Sequence, residues 1–304
     1  MRRLLLILAP LLVAPLLMGN AADPGSVMIP ENIRAMLDAA LESGNEADVS
    51  TIVKYARAAD PLSGDAVLAI AEKWKADRAA QRTAVIRQAN FLDLWRGKAE
   101  VGGYLTTGNS DTAGGSAVID LTREGLRWRQ KFHAQADFQA NNDITVREHY
   151  LASYEPNFKI DDRAYIYGAA QYESDRFLGY DNRYSTSVGA GYSVLKTPRT
   201  KLDLELGPAY RYTEFTDAVV QSSIAARGTV DFSWRLTKGL TVSQLASAYV
   251  QRDNSTVSGT TALTAKLIGP LSASVSYNFQ YESTPPVGSV STDTTSRAAL
   301  VYSF

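Results

Sequence analysis

The feature that most constrains the fold is a strict alternation of apolar and polar residues, clearest between residues 271 and 282. Six apolar residues alternate there with six polar ones: Leu271, Ala273, Val275, Tyr277, Phe279 and Tyr281 against Ser272, Ser274, Ser276, Asn278, Gln280 and Glu282. Successive side chains of a strand point to opposite faces, so this strand has one wholly apolar face and one polar face. Such a strand is typical of a transmembrane β-barrel, with lipid outside and water inside.

The same period of two continues from Lys98 to Phe304, with turn residues between the alternating runs. These runs predict an all-β transmembrane barrel of about twelve antiparallel strands. Connections after even-numbered strands are tight, as at Gly269-Pro270, whereas those after odd-numbered strands, such as 285–293, are expected to be longer. Because short turns belong on the periplasmic side, both barrel termini are predicted to lie in the periplasm.

The first 22 residues have the pattern of a secretory signal peptide. Arg2 and Arg3 precede an apolar run that extends to Met18, and small residues follow up to Ala22. A run this short, interrupted by prolines, favours a cleaved signal over a membrane-spanning helix. We therefore predict export, with residues 1–22 as the signal peptide and the outer membrane of a Gram-negative bacterium as the destination.

Residues 23–96 have the three- and four-residue period of helices, which predicts a small α-helical segment in the periplasm before the barrel domain of residues 97–304. One helix is expected to end at Gly44 and a second before Asp60-Pro61. The polar stretch from Lys75 to Asn90 fits either an exposed helix or a linker. A periplasmic partner for this segment is left open.

Aromatic residues lie near the ends of the expected strands, where rings commonly form interfacial girdles in contact with outer-membrane lipids. They include Trp128, Trp234, Tyr165, Tyr167, Tyr210 and Tyr212. The last strand places Ala298, Leu300, Tyr302 and Phe304 on one face. Tyr302 and Phe304 are therefore predicted to form the signal by which the barrel-assembly machinery recognises its clients.

The polar faces of the strands should line the lumen, and they carry charges of both signs. The predicted lumen residues are Arg127, Arg129, Lys131, His133, Asp137, Lys201, Asp203, Glu205, Arg211, Arg227, Asp231, Arg235 and Arg297. In an open channel these charges would set ion selectivity, whereas in a closed barrel they would form an interior lattice of ion pairs.

The chain's two histidines are His133 and His149, and it has no cysteine. A hairpin centred on residue 141 would place the two imidazoles opposite each other, but without a third ligand a polar lining is favoured over a metal site. A lipid-modifying enzyme would need a Ser–His pair on the lipid face. Because both histidines are expected to face the lumen, we predict neither enzyme activity nor a cofactor. The balance of 31 basic and 32 acidic residues argues against a nucleic-acid partner.

The start of the first strand carries a family resemblance. Residues 95–112 have the sequence Trp-Arg-Gly-Lys-Ala-Glu-Val-Gly-Gly-Tyr-Leu-Thr-Thr-Gly-Asn-Ser-Asp-Thr, a glycine-rich strand followed by a Thr-Gly-Asn-Ser turn. This opening resembles the YdiY-like, salt-induced outer-membrane protein family, over about residues 97–304. The resemblance implies an outer-membrane barrel, with no known substrate or catalytic residues.

The leading hypothesis is a structural or narrow pore-forming barrel of the cell envelope. The alternatives are a passive diffusion porin, a lipid-modifying enzyme of the outer membrane, and an envelope-organising protein whose helices contact a periplasmic component. Bilayer conductance would establish or dismiss the diffusion porin, and labelling by a serine-reactive probe would detect the enzyme.

Overall fold

The computed structural model describes residues 28–107, 112–141, 144–176, 178–252, 254–285 and 290–304. The predicted signal peptide lies outside the described residues, as do the turn at 108–111 and residues 286–289 of the last loop. The chain forms two compact units, which divide between Arg82 and Thr83.

The first unit is helical. It contains α1 (Glu31–Ser43), α2 (Glu46–Ala59) and most of α3 (Pro61–Gln88), so the polar stretch after Lys75 is helical rather than a loose linker. The C-cap of α1 is Gly44, whose φ of 70° is the left-handed conformation that glycine adopts without strain. The N-cap of α2 is Asn45, whose side chain accepts a hydrogen bond from the backbone N–H of Ala47.

Apolar residues spaced along the three helices are buried against one another, among them Leu37, Val49 and Val67. This packing gives the helical unit its own hydrophobic core. None of the helices in the described part of the chain combines the length and apolarity needed to cross a membrane.

The second unit contains twelve strands, each paired with its sequence neighbours in antiparallel order. The strands are β1 (Trp95–Thr107), β2 (Thr112–Glu124), β3 (Trp128–Asn141), β4 (Ile144–Lys159), β5 (Ala164–Asp175), β6 (Tyr180–Lys196), β7 (Thr200–Phe215), β8 (Val220–Arg235), β9 (Leu240–Gln251), β10 (Thr256–Lys266), β11 (Leu271–Glu282) and β12 (Thr292–Ser303).

The sheet closes on itself because β1 also pairs with β12, in a register that joins Lys98 to Ser303 and Thr107 to Thr294. Closure removes the sheet edges, so the backbone groups of the strands can bond within the barrel, as a hydrocarbon environment requires. The predicted twelve-stranded antiparallel barrel is therefore confirmed.

The faces of β11 follow the alternation in its sequence. Val275 is 62% exposed on the outer surface, whereas its neighbour Ser274 is buried inside. Large exposed hydrophobic residues of other strands, such as Leu206 and Ile224, lie on the same outer surface. This surface is the one that faces lipid.

Two expectations about the connections and their register are wrong. Connections after odd-numbered strands are generally no longer than those after even-numbered ones. Among the described strands, the exception is the β11–β12 connection, residues 283–291, which is nine residues long. The two histidines are not opposite each other either. Asn141 pairs with Ile144, so the hairpin is not centred on residue 141, and His133 lies opposite Ser153 while His149 lies opposite Asp137.

Candidate functional site

The interior of the barrel contains ion pairs between strands that are not neighbours in the sheet. Arg183 on β6 pairs with Glu282 on β11, with 3.0 Å between Nη1 and Oε1. Arg297 on β12 pairs with Asp137 on β3, with 2.7 Å between Nη2 and Oδ2. A contact between strands that are separated by others must cross the lumen of a closed barrel. These side chains therefore face inward and bridge the barrel.

A first network lies near the connections that follow odd-numbered strands. From Asp137 it continues to His149, with 3.0 Å between Oδ2 and Nδ1, and from His149 Nε2 to Glu173 Oε1 at 3.6 Å. The Tyr180 hydroxyl donates to Glu173 at 2.8 Å. The guanidinium of Arg183 stacks on the Tyr180 ring, 3.7 Å from its centroid.

The same network reaches the other side of the barrel. Glu282 accepts hydrogen bonds from Asn254 Nδ2 and, at 3.3 Å, from the Thr256 hydroxyl. Arg211 donates to that hydroxyl at 2.7 Å and lies over the Tyr249 ring. We call this set the loop-side layer, and it consists of Asp137, His149, Glu173, Tyr180, Arg183, Arg211, Tyr249, Thr256, Glu282 and Arg297. Its members come from nine strands, and all of them are buried except Arg297, which is half-buried.

A second network, the turn-side layer, lies nearer the connections that follow even-numbered strands. Lys131 pairs with Glu155 at 2.8 Å and with Glu205 at 3.7 Å, and Arg227 lies 3.3 Å from each of these carboxylates. The Tyr165 hydroxyl donates to Glu205 at 3.0 Å. Two carboxylates and two cations from β3, β4, β7 and β8 are thus held together in one cluster.

The turn-side layer continues through Asp203. Its carboxylate lies 3.6 Å from Arg129 and 2.9 Å from Lys201, which also pairs with Asp231 at 3.3 Å. The layer balances four cations against four anions: Arg129, Lys131, Lys201 and Arg227 against Glu155, Asp203, Glu205 and Asp231. Its fixed charge is therefore close to zero.

The remaining predicted lumen residues occupy different places. His133 pairs with Asp120 at 2.6 Å, in a separate group near β1. Arg127 lies exposed in the turn before β3, with its guanidinium 5.9 Å from the centroid of the Phe158 ring, so it does not line the lumen. Arg235 is exposed at the end of β8 and belongs to the rim.

The predicted assembly signal lies on the outer surface where the sheet closes. The rings of Tyr302 and Phe304 stack with 6.2 Å between their centroids, and both are about half exposed. The backbone N–H and carbonyl of Phe304 bond to those of Gly97, each at 3.0 Å. Recognition of these two residues by the assembly machinery stays a prediction.

Sequence reasoning assigned Tyr165 and Tyr167 to an interfacial girdle, which is wrong. Both are buried inside the barrel, and Tyr165 lies against Gly191, where a Cβ would be 2.2 Å from the tyrosine ring. The glycine leaves room that the ring fills. The prediction also missed Arg183 and Glu173, although each shares its inward parity with smaller polar residues of its own strand.

The fold and this interior define an outer-membrane β-barrel protein. Residues 99–304 match the family described as "Protein of unknown function, DUF481", and the chain belongs to that family. It is 27% identical over 203 residues to the uncharacterized protein YdiY of Escherichia coli (strain K12), a match that covers 66% of this chain and 80% of that protein. The resemblance predicted from the first strand is therefore confirmed.

Several solved structures are similar to the chain. The NanC porin matches with a TM-score of 0.48 and 8% identity, over 67% of this chain and 98% of that one. The translocator domain of the autotransporter NalP from Neisseria meningitidis matches with a TM-score of 0.43 and 11% identity, over 76% of this chain and 96% of that one.

Proposed function

We propose that this protein is a narrow pore of the outer membrane that is closed in the conformation described. The loop-side layer carries the proposal, because its members come from nine strands and bridge the lumen. Arg183 and Glu282 are only 3% and 5% exposed. Charged side chains in the wall of an open, general diffusion channel would be solvated, so this burial favours a closed pore over a passive diffusion porin.

The chemistry of the layer favours a gate over a permanent plug. Burying an ion pair incurs a desolvation penalty that apolar side chains of similar volume would avoid. Charged groups regain that solvation when water enters, so a layer built from ion pairs can open at a lower free-energy cost than an apolar core. This is our reason for preferring a pore to a purely structural barrel.

The other half of the lumen remains accessible. The register places Leu245 inside, opposite Asp231 on β8 and Thr260 on β10, yet 53% of its surface is exposed. An interior leucine keeps this much exposure only where the lumen is open. The arrangement is consistent with a vestibule on the turn side and closure on the loop side.

The alternative of a lipid-modifying enzyme has less support. Both histidines are paired with carboxylates inside the barrel, His133 with Asp120 and His149 with Asp137. A triad that acts on membrane lipids would need its base on the outer face. Loss of serine-probe labelling in His133→Ala would be required to revive this alternative.

The test is single-channel conductance in planar bilayers. Removing both partners in Arg183→Ala/Glu282→Ala avoids leaving an uncompensated buried charge and should open the loop-side layer. We expect wild type to conduct rarely and the double variant to show frequent openings. Arg34→Ala/Asp38→Ala, which removes an exposed ion pair of α1, is the matched control and should behave as wild type.

The outcomes separate the candidate functions. A double variant that folds but stays silent would end the pore proposal and favour a structural role. A large, constant conductance of the wild type would instead identify a diffusion porin.

A further inference from the structure

Among the buried polar atoms of the turn-side half that lack a hydrogen-bond partner within the described residues, four lie close together. They are Asn157 Oδ1, Tyr167 Oη, Arg227 Nε and Thr229 Oγ1. All four residues are more than nine-tenths buried. Buried polar atoms are paired in the great majority of cases, so a group of orphans indicates that something else supplies the bonds.

These atoms belong to one contiguous surface. Asn157 and Tyr167 lie directly opposite each other on β4 and β5. Arg227 lies over the Tyr167 ring, 5.1 Å from its centroid, and Thr229 follows two positions later on the same face of β8. The group includes one donor, one acceptor and two hydroxyls that can do either.

Level with the orphaned atoms, the strands that continue the wall from β8 carry small hydroxyl and amide groups on their inner face. Ser247 lies opposite Thr229 in register and bonds to Ser258 at 2.9 Å. Asn278 donates to Thr260 at 2.8 Å on the neighbouring strands. The orphaned atoms therefore adjoin an uncharged, hydroxyl-rich wall, and the half-exposed Leu245 shows that space lies beside it.

We infer that the turn-side half of the lumen binds a small, uncharged, polyhydroxylated solute. This inference rests on the proposed pore and deepens it by naming the class of solute. An ion would find the four cations and four anions of the turn-side layer already paired with one another. A polyol instead offers hydroxyls that donate and accept in turn, which matches the orphaned set.

The absence of cysteine from the chain allows a direct test. In full-length Ser247→Cys, the rate of modification by a small uncharged methanethiosulfonate measures access to the wall opposite Thr229. We expect about 1 M xylitol to slow this reaction about fivefold or more, as mass action predicts for a weak ligand at high concentration. Free cysteine in the same medium corrects for viscosity, and isosmotic KCl should give no protection.

The variant that tests the site combines Tyr167→Phe with Thr229→Val in the Ser247→Cys background. Because these changes remove hydroxyls without a protein partner, folding stability should be unchanged while most of the xylitol protection is lost. The matched control, Tyr281→Phe with Thr186→Val on the outer face, should keep the protection.

Three results would overturn the inference: an unreactive thiol in the Ser247→Cys variant, no effect of xylitol, or equal protection in both double variants. Each would mean that ordered water alone satisfies the orphaned atoms or that the surface is inaccessible. The measurement is made on variants that keep Arg183 and Glu282, and therefore the closed loop-side layer. A silent Arg183→Ala/Glu282→Ala variant would therefore refute the pore while leaving the protection result to be judged separately.

Discussion

Replacing a single lipid-facing valine by arginine tests whether the outer surface of the barrel is the surface that faces hydrocarbon. Val275 lies near the middle of β11, and its register partners Leu263 and Ala298 are also on the outer face. Its 62% exposure means that an arginine there would project from the wall. Ser276, the next residue, points into the lumen opposite Arg297 and is the matched site for the same substitution.

The two substitutions should differ severalfold in their effect on the free energy of unfolding. An arginine at the bilayer midplane on a lipid-facing strand costs about 2–4 kcal/mol. At Ser276 the new charge meets water and, about 5–6 Å away across the strands, Arg297. Like charges at that distance repel by about 1 kcal/mol or less in a high dielectric. Asp137, which already pairs with Arg297, reduces the repulsion further.

Urea-dependent folding into lipid vesicles would measure both penalties in the full-length protein. We expect Val275→Arg to lower the free energy of unfolding by about 2–4 kcal/mol and Ser276→Arg by about 1 kcal/mol or less. Equal penalties, or a larger one at Ser276, would refute the assignment of faces on β11. They would also remove the reason for placing this surface in the membrane.

Three further predictions address orientation, independence of the two units and one turn. On intact cells an impermeant maleimide should label Asp217→Cys in the β7–β8 connection, but should label Lys238→Cys only after the outer membrane is breached. The opposite labelling pattern would mean that the barrel has the opposite orientation in the membrane. A variant lacking residues 28–82 should still run faster unboiled than boiled on SDS gels, whereas Phe304→Ala should assemble more slowly. If the variant lacking residues 28–82 is degraded while Phe304→Ala assembles normally, the helices are required for folding of the barrel. Asp161 accepts two backbone N–H bonds at 2.7 Å, which lower its pKa below the ordinary 3.8. Its contribution to stability is therefore present above pH 3.8 and lost as the pH falls through the lowered pKa. Asp161→Ala should remove this part of the pH dependence, and a urea-unfolding profile from about pH 6 to about pH 2 that is the same in the variant and the wild type would contradict the prediction.

The strands could be predicted from sequence because each carries its own signal. Alternation along a strand fixes which side chains face lipid, and lipid tolerates few errors in that pattern. β7 illustrates this, since Leu204 and Leu206 are exposed outward while Asp203 and Glu205 are buried within. Neither assignment needs knowledge of any other strand.

The interior layers could not be predicted because their contacts depend on how distant strands are placed around the barrel. Which carboxylate Arg183 meets is set by the strand order and by the accumulated register of the strands between β6 and β11. A different centre of one hairpin changes such pairings: because Asn141 pairs with Ile144, His149 lies opposite Asp137 instead of His133. Alternation along a single strand contains no information about these offsets.

The misplaced tyrosines show where a usable signal was overlooked. Tyr165 and Tyr167 lie near a strand end, which suits a girdle, but they share parity with Glu173 further along β5, and the parity of a regular strand outranks position near its end. Gly191 on the neighbouring strand supplies a second signal, because a glycine inside a barrel strand needs a neighbouring side chain to cover it. Applied together, parity and the cross-strand glycine would have placed Tyr165 in the lumen, beside the carboxylate of Glu205 that its hydroxyl now contacts.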